Sequence, residues 1–541
     1  MEGLMMDDYP LTLSPLLERA DRLFPTVRIS TRTPDRSIRS TDYATVVRRA
    51  RTLAAALLDS GVRPGDRIGT LMWNESSHLE AYLGIPASGA VLHTLNLRLP
   101  PDHLAYVINH AQDRWILVDD VLLPILAKVR ERIQPERIVV VPFSGQKVPE
   151  GFEDYEQLLG RHAPLVALPA RAERDAAVLC YTSGTTGRLK GVLYSHRSIV
   201  LHSFAEAVGI GLAQTDSVLV VVPMFHVNAW GLPFTLTMLG SRQVLPGPHL
   251  DPESLIDLMD QHHVTLAAGV PSIWFGILET LEKNPGRWTL DPGLRMVIGG
   301  SAVPESMVRR FAKLGIRVIH GYGMTESSPV VSLSIPKAAM RDWEPERLYA
   351  LQARQGPPLP FVEVRLRTDG GDLPWDGKSV GELQLRGPWV ARRYYEDPET
   401  RGKWTEDGWY RTGDVATIDA EGFIEVVDRL KDLVKSGGEW ISSVALENTL
   451  VGHPGVREAA VIAAPHPKWG ERPVAFVVPR EGVALSEAEL RGLLEARYPK
   501  WWIPDEFRFV PALPKTSTGK ISKLTLREDL SKSTGSAPAS G

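Results

Sequence analysis

Residues 295–326, "RMVIGGSAVPESMVRRFAKLGIRVIHGYGMTE", decide the fold. "RMVIGG" is a short apolar run of strand type, and Pro304 opens a helix over "PESMVRRFAKL" that Gly315 stops. "IRVIH" is a second strand, running into "GYGMTE". A strand–helix–strand unit of this length predicts two parallel neighbours. Gly299, Gly300 and Ser301 then lie beside Gly321, Tyr322 and Gly323 at the carboxyl ends of adjacent strands, where open α/β sheets bind ligands. The glycines let a flat ring lie against backbone, and Tyr322 offers a face to stack on it.

Upstream, "YATVVRRARTLAAALLDSG" (43–61) has helical periodicity ending at Gly61, and "DRIGTLMW" (66–73) and "GVLYSH" (191–196) read as strands. From about 380 the pattern changes to short β segments, with a turn at Ala420–Gly422. Beyond 443 a helix "SSVALENTLVGH", strands "AAVIAAP" and "PVAFVVP", and a helix with an S-x-x-E capping box at Ser486–Glu489 make a small α+β unit. The expectation is an α/β chain: a large N-terminal domain (1–429) of layered α/β subdomains plus β segments, and a small mobile α+β C-terminal unit (430–530). The polar stretch 531–541 is expected to be a disordered tail.

The bulk numbers narrow the function. The chain has 541 residues, 43% hydrophobic and 23% charged, as in globular proteins. A net charge of −4 gives no electrostatic case for nucleic acid as the main partner. The single cysteine, Cys180, excludes an intramolecular disulfide framework, and its apolar neighbours predict a buried strand residue. "MEGLMMDDYPLTL" lacks the basic and apolar regions of a secretory signal, so the expected location is the cytoplasm. Residues 217–241, "SVLVVVPMFHVNAWGLPFTLTMLGS", carry no charge, but Pro223, His226, Asn228 and Pro233 interrupt them. They read as a buried strand followed by an apolar pocket wall, not a transmembrane helix; peripheral membrane contact stays open. The apolar segment before residue 40 is a candidate surface for a partner, a second copy of the chain in a homodimer among them; the sequence does not determine the oligomeric state.

Four loops carry more polar residues than folding needs. In "YTSGTTGRLKGV" (181–192), Thr182, Ser183, Gly184, Thr185, Thr186 and Gly187 expose backbone N–H groups and hydroxyls, followed by Lys190. Such a loop suits a string of phosphates, although it lacks the G-x-x-x-x-G-K-[ST] spacing of a P-loop. With 45 arginines against 16 lysines, a lysine in a Gly-rich loop carries extra weight. The other loops are 320–326, 409–414 and 514–520, the last being "PKTSTGK" with Lys520 in the small unit. A phosphate site drawing on both units implies a cleft that can close.

Together "YTSGTTGRLKGV", "HGYGMTE", "WYRTGD", "DRLKDLVKSGG" and "PKTSTGK", in this order and spacing, resemble the adenylate-forming acyl-CoA synthetases, relatives of luciferases and peptide-synthetase adenylation domains. The resemblance spans roughly 40–525. It implies joining of a carboxylate to the α-phosphate of ATP with loss of pyrophosphate, then transfer of the acyl group to CoA. A carboxylate is already ionised at neutral pH, so the first step needs charge neutralisation and alignment, not a general base. By resemblance, Thr182–Gly187 and Lys190 hold the β- and γ-phosphates. Residues Gly299–Ser301 and His320, Gly321, Tyr322, Gly323, Met324 and Thr325 form the nucleotide wall, with Tyr322 on adenine. Glu326 binds Mg2+, with Thr182 as a second ligand. Asp414 accepts the ribose hydroxyls with Arg429 nearby, and Lys520 reaches the α-phosphate and the carboxylate. The hinge falls at Lys431; rotation withdraws Lys520 and brings in Lys435, while Gly437 and Gly438 let the pantetheine arm pass close to backbone.

The acyl pocket is expected along "PMFHVNAWG" (223–231), with Phe225, His226 and Trp230 as gate residues and Trp440 helping to close the tunnel. His226 has no second ligand at metal spacing beside it. The uncharged run favours an unbranched aliphatic tail, each buried methylene contributing about 0.8 kcal/mol. The motifs look most like those of medium- to long-chain fatty acid enzymes. Alternatives are a fatty acyl-AMP ligase loading a carrier protein, an aryl or short-chain acid CoA ligase, and a non-catalytic acyl-adenylate-binding module.

Overall fold

The structure is a computed structural model that describes residues 5, 6, 8–182, 188–397, 402–437, 439–516 and 520–534. The strand–helix–strand unit forms as expected: strands Arg295–Gly299 and Arg317–Gly323 flank helix Glu305–Lys313 and pair in parallel, Gly299 opposite Gly321. They sit in an eight-stranded sheet. In that sheet Ser217–Val220, Arg242–Leu245 and Leu266–Gly269 continue the parallel set, and Val330–Leu333 closes one edge in antiparallel sense.

A seven-stranded sheet packs beside it. Its core is parallel, through Arg67–Leu71, Val91–Thr94 and Asp113–Asp119, and its edge is an antiparallel pair, Ala176–Tyr181 with Gly191–Ser195. That edge hairpin spans the phosphate-type loop. Helices Tyr43–Asp59 and Ser76–Ser88 fill the space between the sheets, the first capped by the Asp42 side chain accepting from the Thr45 N–H. One apolar core runs through both layers and into a five-stranded antiparallel sheet that includes Gly381–Arg386, Tyr410–Ile418 and Ile424–Arg429.

The small unit follows. Long strands Val456–His466 and Gly470–Pro479 pair antiparallel, the hairpin Val434–Ser436 with Glu439–Ile441 adds to them, and two separate apolar clusters form its core. Only half of the expected capping box is made. The Ser486 hydroxyl accepts from the Glu489 N–H, but the Glu489 carboxylate turns away to His453 at 3.2 Å. Helix Lys523–Thr534 extends into the stretch expected to be a tail, and 535–541 lie outside the described residues.

Two local expectations have clear outcomes. Leu13, Leu16, Leu17 and Ala20 are buried against the chain's own core, so the apolar N-terminal segment is largely used internally, while Met5, Met6 and Tyr9 stay exposed. Cys180 is buried in its strand, its thiol donating to the Asn228 side-chain oxygen at 3.3 Å. Burial pushes that thiol up to about 12, which removes it as a nucleophile. Among the described residues no helix is long and apolar enough to cross a membrane.

Candidate active site

A cavity of about 1030 Å³ lies where loops from both large sheets meet the five-stranded sheet and the small unit. The edge hairpin brings one wall. Its loop is pinned at both ends: the Thr182 N–H donates to the Lys190 carbonyl at 2.9 Å, and the Lys190 N–H donates to the Thr182 hydroxyl at 3.2 Å. The Lys190 ammonium sits 3.6 Å from Asp397 and 4.9 Å from the Tyr394 ring centre. Thr182 and Lys190 line the cavity; Ser183, Gly184, Thr185, Thr186 and Gly187 lie outside the described residues.

The paired strand ends bring the second wall. Gly300, with φ +84°, and Gly321, Tyr322, Gly323, Met324, Thr325 and Glu326 face the cavity. Three expected neighbours do not. A Cβ on Gly299 would come 2.5 Å from the Gly321 carbonyl and 3.2 Å from the Trp230 ring, so this glycine makes room for the indole. Ser301 is exposed. His320 points into the core, its Nδ1 bonded to the Ala353 carbonyl at 2.8 Å, and burial holds it neutral with a pKa of about 4.

Beyond the strand, the Tyr194 hydroxyl donates to the Thr325 carbonyl at 2.6 Å, and the Glu326 carbonyl accepts from the Ala391 N–H at 2.8 Å. This fixes Glu326, whose Oε1 accepts from the Tyr394 hydroxyl at 2.5 Å. Asp414 is buried behind Tyr322. It accepts from the Tyr322 hydroxyl at 2.6 Å and pairs with Arg429 at 3.2 Å. One carboxylate thus aligns both the ring and the cation at the cavity wall. Among the described residues no group of three His, Cys, Asp or Glu is placed to hold a metal by itself.

The small unit adds Lys520. Its loop is tied by the Thr516 N–H donating to the Lys520 carbonyl at 2.7 Å and the Lys520 N–H donating to the Thr516 hydroxyl at 3.2 Å. The side chain enters the cavity beside Gly300, where an added Cβ would lie 3.6 Å from the Lys520 Cε. Burial first, and Arg429 second, lower its pKa to about 8, with Asp414 and Glu326 opposing. His226 faces the same cavity. Burial, together with the charges of Lys520 and Arg98, takes it down to about 3, so its imidazole is neutral.

The gate segment has an unusual backbone. Val227, Asn228, Ala229 and Trp230 all have positive φ (46°, 52°, 49° and 60°), followed by Gly231 at 89°. Each non-glycine residue there costs about 1–2 kcal/mol, so the surroundings must impose the turn. Asn74 does so from the other sheet. Its amide donates to the Val220 and Val222 carbonyls, both at 2.8 Å, and its oxygen accepts from the Met224 N–H at 2.7 Å. The Tyr82 hydroxyl also donates to the Met224 carbonyl. The turn carries the Trp230 ring against Gly299 and Gly300, with Phe225 lining the cavity below it.

The hairpin residues stand apart. The Lys435 ammonium lies 4.7 Å over the Trp440 ring; Lys435 reaches the cavity edge, but Trp440 is 44% exposed and does not line it. Gly437 has φ +61° with the Trp469 ring close by, and Gly438 lies outside the described residues. Lys431 lines the cavity at the junction of the two units. Arg527 on Asp432 at 2.6 Å and Lys523 on Glu447 at 2.7 Å brace the small unit internally, and Arg480 of the small unit pairs with Glu279 of the large one across the junction.

Sequence reading passed over three side chains that the fold brings in. Tyr394 holds Glu326, Arg98 places its guanidinium 5.9 Å from the Phe225 ring at the cavity, and Glu206 enters the cavity wall from helix His196–Ile210.

Comparison with known proteins agrees with this architecture. Residues 20–395 match the AMP-binding enzyme family, and residues 445–520 match the AMP-binding enzyme C-terminal domain. The chain is 47% identical to a long-chain-fatty-acid–CoA ligase of Thermus thermophilus, over 99% of this chain and 100% of that protein. It is 42% identical to a medium-chain-fatty-acid–CoA ligase of Ectopseudomonas oleovorans, over 98% and 97%, and 44% identical to a 3-methylmercaptopropionyl-CoA ligase of Ruegeria lacuscaerulensis, over 98% and 99%. An anthranilate CoA ligase solved with anthranoyl-AMP superposes with a TM-score of 0.86 at 25% identity, covering 98% of this chain and 99% of that one. ATP-bound MatB from Rhodopseudomonas palustris gives 0.81 at 27% identity, covering 96% and 99%. The chain belongs to the AMP-binding enzyme family.

Proposed function

We propose that the protein is an AMP-forming fatty acid–CoA ligase that takes medium- to long-chain acids. The observation that carries this reading is the convergence of Lys520, Glu326 and Lys190 on one cavity whose wall also carries Trp230 and the apolar Ile210, Leu232, Val297 and Leu333, which we read as the acyl chamber. Full-length similarity to long- and medium-chain fatty acid–CoA ligases supports the same substrate class.

The two charged ends of the site do different work. Thr182 and Lys190 bind the terminal phosphates, Tyr322 stacks on the adenine, and Asp414, bonded here to Tyr322 and Arg429, exchanges one of these contacts to accept from the ribose. Lys520 lies between the α-phosphate and the incoming carboxylate and neutralises charge as the acyl-adenylate and pyrophosphate form. His226, being neutral, offers the carboxylate at most a hydrogen bond. The residues fit Mg2+: Glu326 would supply one hard oxygen ligand and Thr182, which lines the same cavity, a second. Bound there, the ion offsets phosphate charge.

The small unit (430–530) acts as a lid that turns about Lys431. With Lys520 docked, the site is arranged for adenylation. Turning the lid withdraws Lys520 and brings the hairpin of Lys435, Gly437 and Gly438 over the acyl-adenylate, so the CoA thiol can attack and release AMP. Breaking the docked contacts is part of that motion.

Two tests follow from this division. Lys435→Ala should leave ATP–pyrophosphate exchange within about threefold of wild type and lower thioester formation more than about tenfold; equal loss in both assays would contradict the lid reading. Lys520 must be charged to act, and its lowered pKa means charge is lost as pH rises through about 8. The value of kcat/KM for ATP should therefore fall on an alkaline limb near pH 8, a limb absent in Lys520→Ala. A flat profile to pH 9.5 would remove Lys520 from the adenylation step.

A further inference from the structure

The apolar part of the cavity wall includes Ile210, Leu232, Val297 and Leu333. One side chain breaks that apolar lining. Glu206 is 1% exposed and sits on helix His196–Ile210, one turn after His202 and one turn before Ile210. Its Oε2 accepts from the Thr235 hydroxyl at 2.5 Å and would lie 3.4 Å from a Cβ on Gly231, next to the Trp230 gate. Among the described residues the carboxyl's one hydrogen bond is that from Thr235, and no charged neighbour acts on it. The nearby His202 is committed elsewhere, its Nε2 accepting from the Val330 N–H at 3.1 Å.

A buried carboxyl with one open oxygen is costly unless an occupant completes its bonding. Burial, opposed only by Thr235, raises its pKa to about 8. At neutral pH the group is therefore largely protonated, and can donate as well as accept.

We infer that Glu206 is a specificity-determining residue of the acyl chamber, and that it bonds a hydroxyl or carbonyl oxygen carried on the acyl chain. The chamber then prefers an oxygen-bearing chain to the plain hydrocarbon of the same length. This rests on reading the chamber as the acyl pocket.

The experiment compares decanoate with a positional series of monohydroxydecanoates. Binding is measured by calorimetric titration, and acyl-CoA formation is followed in parallel, for wild type, Glu206→Gln and Glu206→Leu. At least one hydroxy position should bind wild type about tenfold better than decanoate, with the difference in KM and not kcat. Glu206→Gln keeps a donor and an acceptor and should keep the preference; Glu206→Leu should abolish it while improving decanoate. Absence of any preferred hydroxy acid in wild type overturns the inference even if the leucine variant does not fold. So does an equal shift of both acids in Glu206→Leu, which would leave Glu206 as a structural partner of Thr235. A binding preference without thioester formation from any acid would instead sink the ligase reading and leave the assignment of Glu206 standing.

Discussion

Lys520→Ala should lower acyl-adenylate formation about 10²- to 10³-fold while leaving transfer from supplied acyl-adenylate to CoA within about threefold. The expectation follows from where the ammonium sits. The loop that carries it is tied by two hydrogen bonds between Thr516 and Lys520. The side chain passes Gly300, whose positive φ disfavours any larger residue there. A cation carried into the site on a tied loop needs little reorganisation when charge develops, which is where such groups contribute most. On the proposed lid motion, the thioester step does not use it. ATP–pyrophosphate exchange and thioester formation from synthetic acyl-adenylate separate the two. Equal losses in both would mean that Lys520 supports the whole fold of the site, and the two-state lid would have to be abandoned.

The second large effect is expected at Glu326. Glu326→Gln keeps the shape and the acceptor for the Tyr394 hydroxyl but removes the charge. Turnover should drop about 10²-fold, and the Mg2+ concentration for half-maximal activity should rise at least about tenfold. The melting temperature should hardly move, since the backbone on either side is fixed by Tyr194 and Ala391 independently of the carboxylate. A Mg2+ titration of wild type and variant decides it. An unchanged metal dependence would place the ion elsewhere and reduce Glu326 to a partner of Tyr394.

Much of the site was legible because it is local. Gly299–Gly300 and Gly321–Glu326 are ends of strands whose periodicity and separating helix are written within about thirty residues, and their parallel pairing follows from chirality. The loop ending in Lys190 announces itself by composition. What could not be read depends on distant segments. Glu206 looks like any helical acid until the fold turns that face towards Leu232 and Leu333. Its signal was faint: it is the one charged residue in "SIVLHSFAEAVGIGL" (198–212). The left-handed turn at Val227–Trp230 was hidden more deeply. A β-branched residue at positive φ runs against local preference, and the bonds that impose it come from Asn74 and Tyr82, some 150 positions earlier. Trp440 misled in the opposite sense. Adjacent to a Gly-Gly pair it reads as tunnel wall, but in a short hairpin its ring packs under Lys435 and faces outward.

Acceptor and acid are both decided by AMP release against acid chain length, from acetate to eicosanoate with benzoate added, each with and without CoA. A CoA-dependent rate that rises to a maximum between decanoate and octadecanoate is the predicted result. AMP formation indifferent to CoA, or a maximum at acetate or benzoate, would contradict the account.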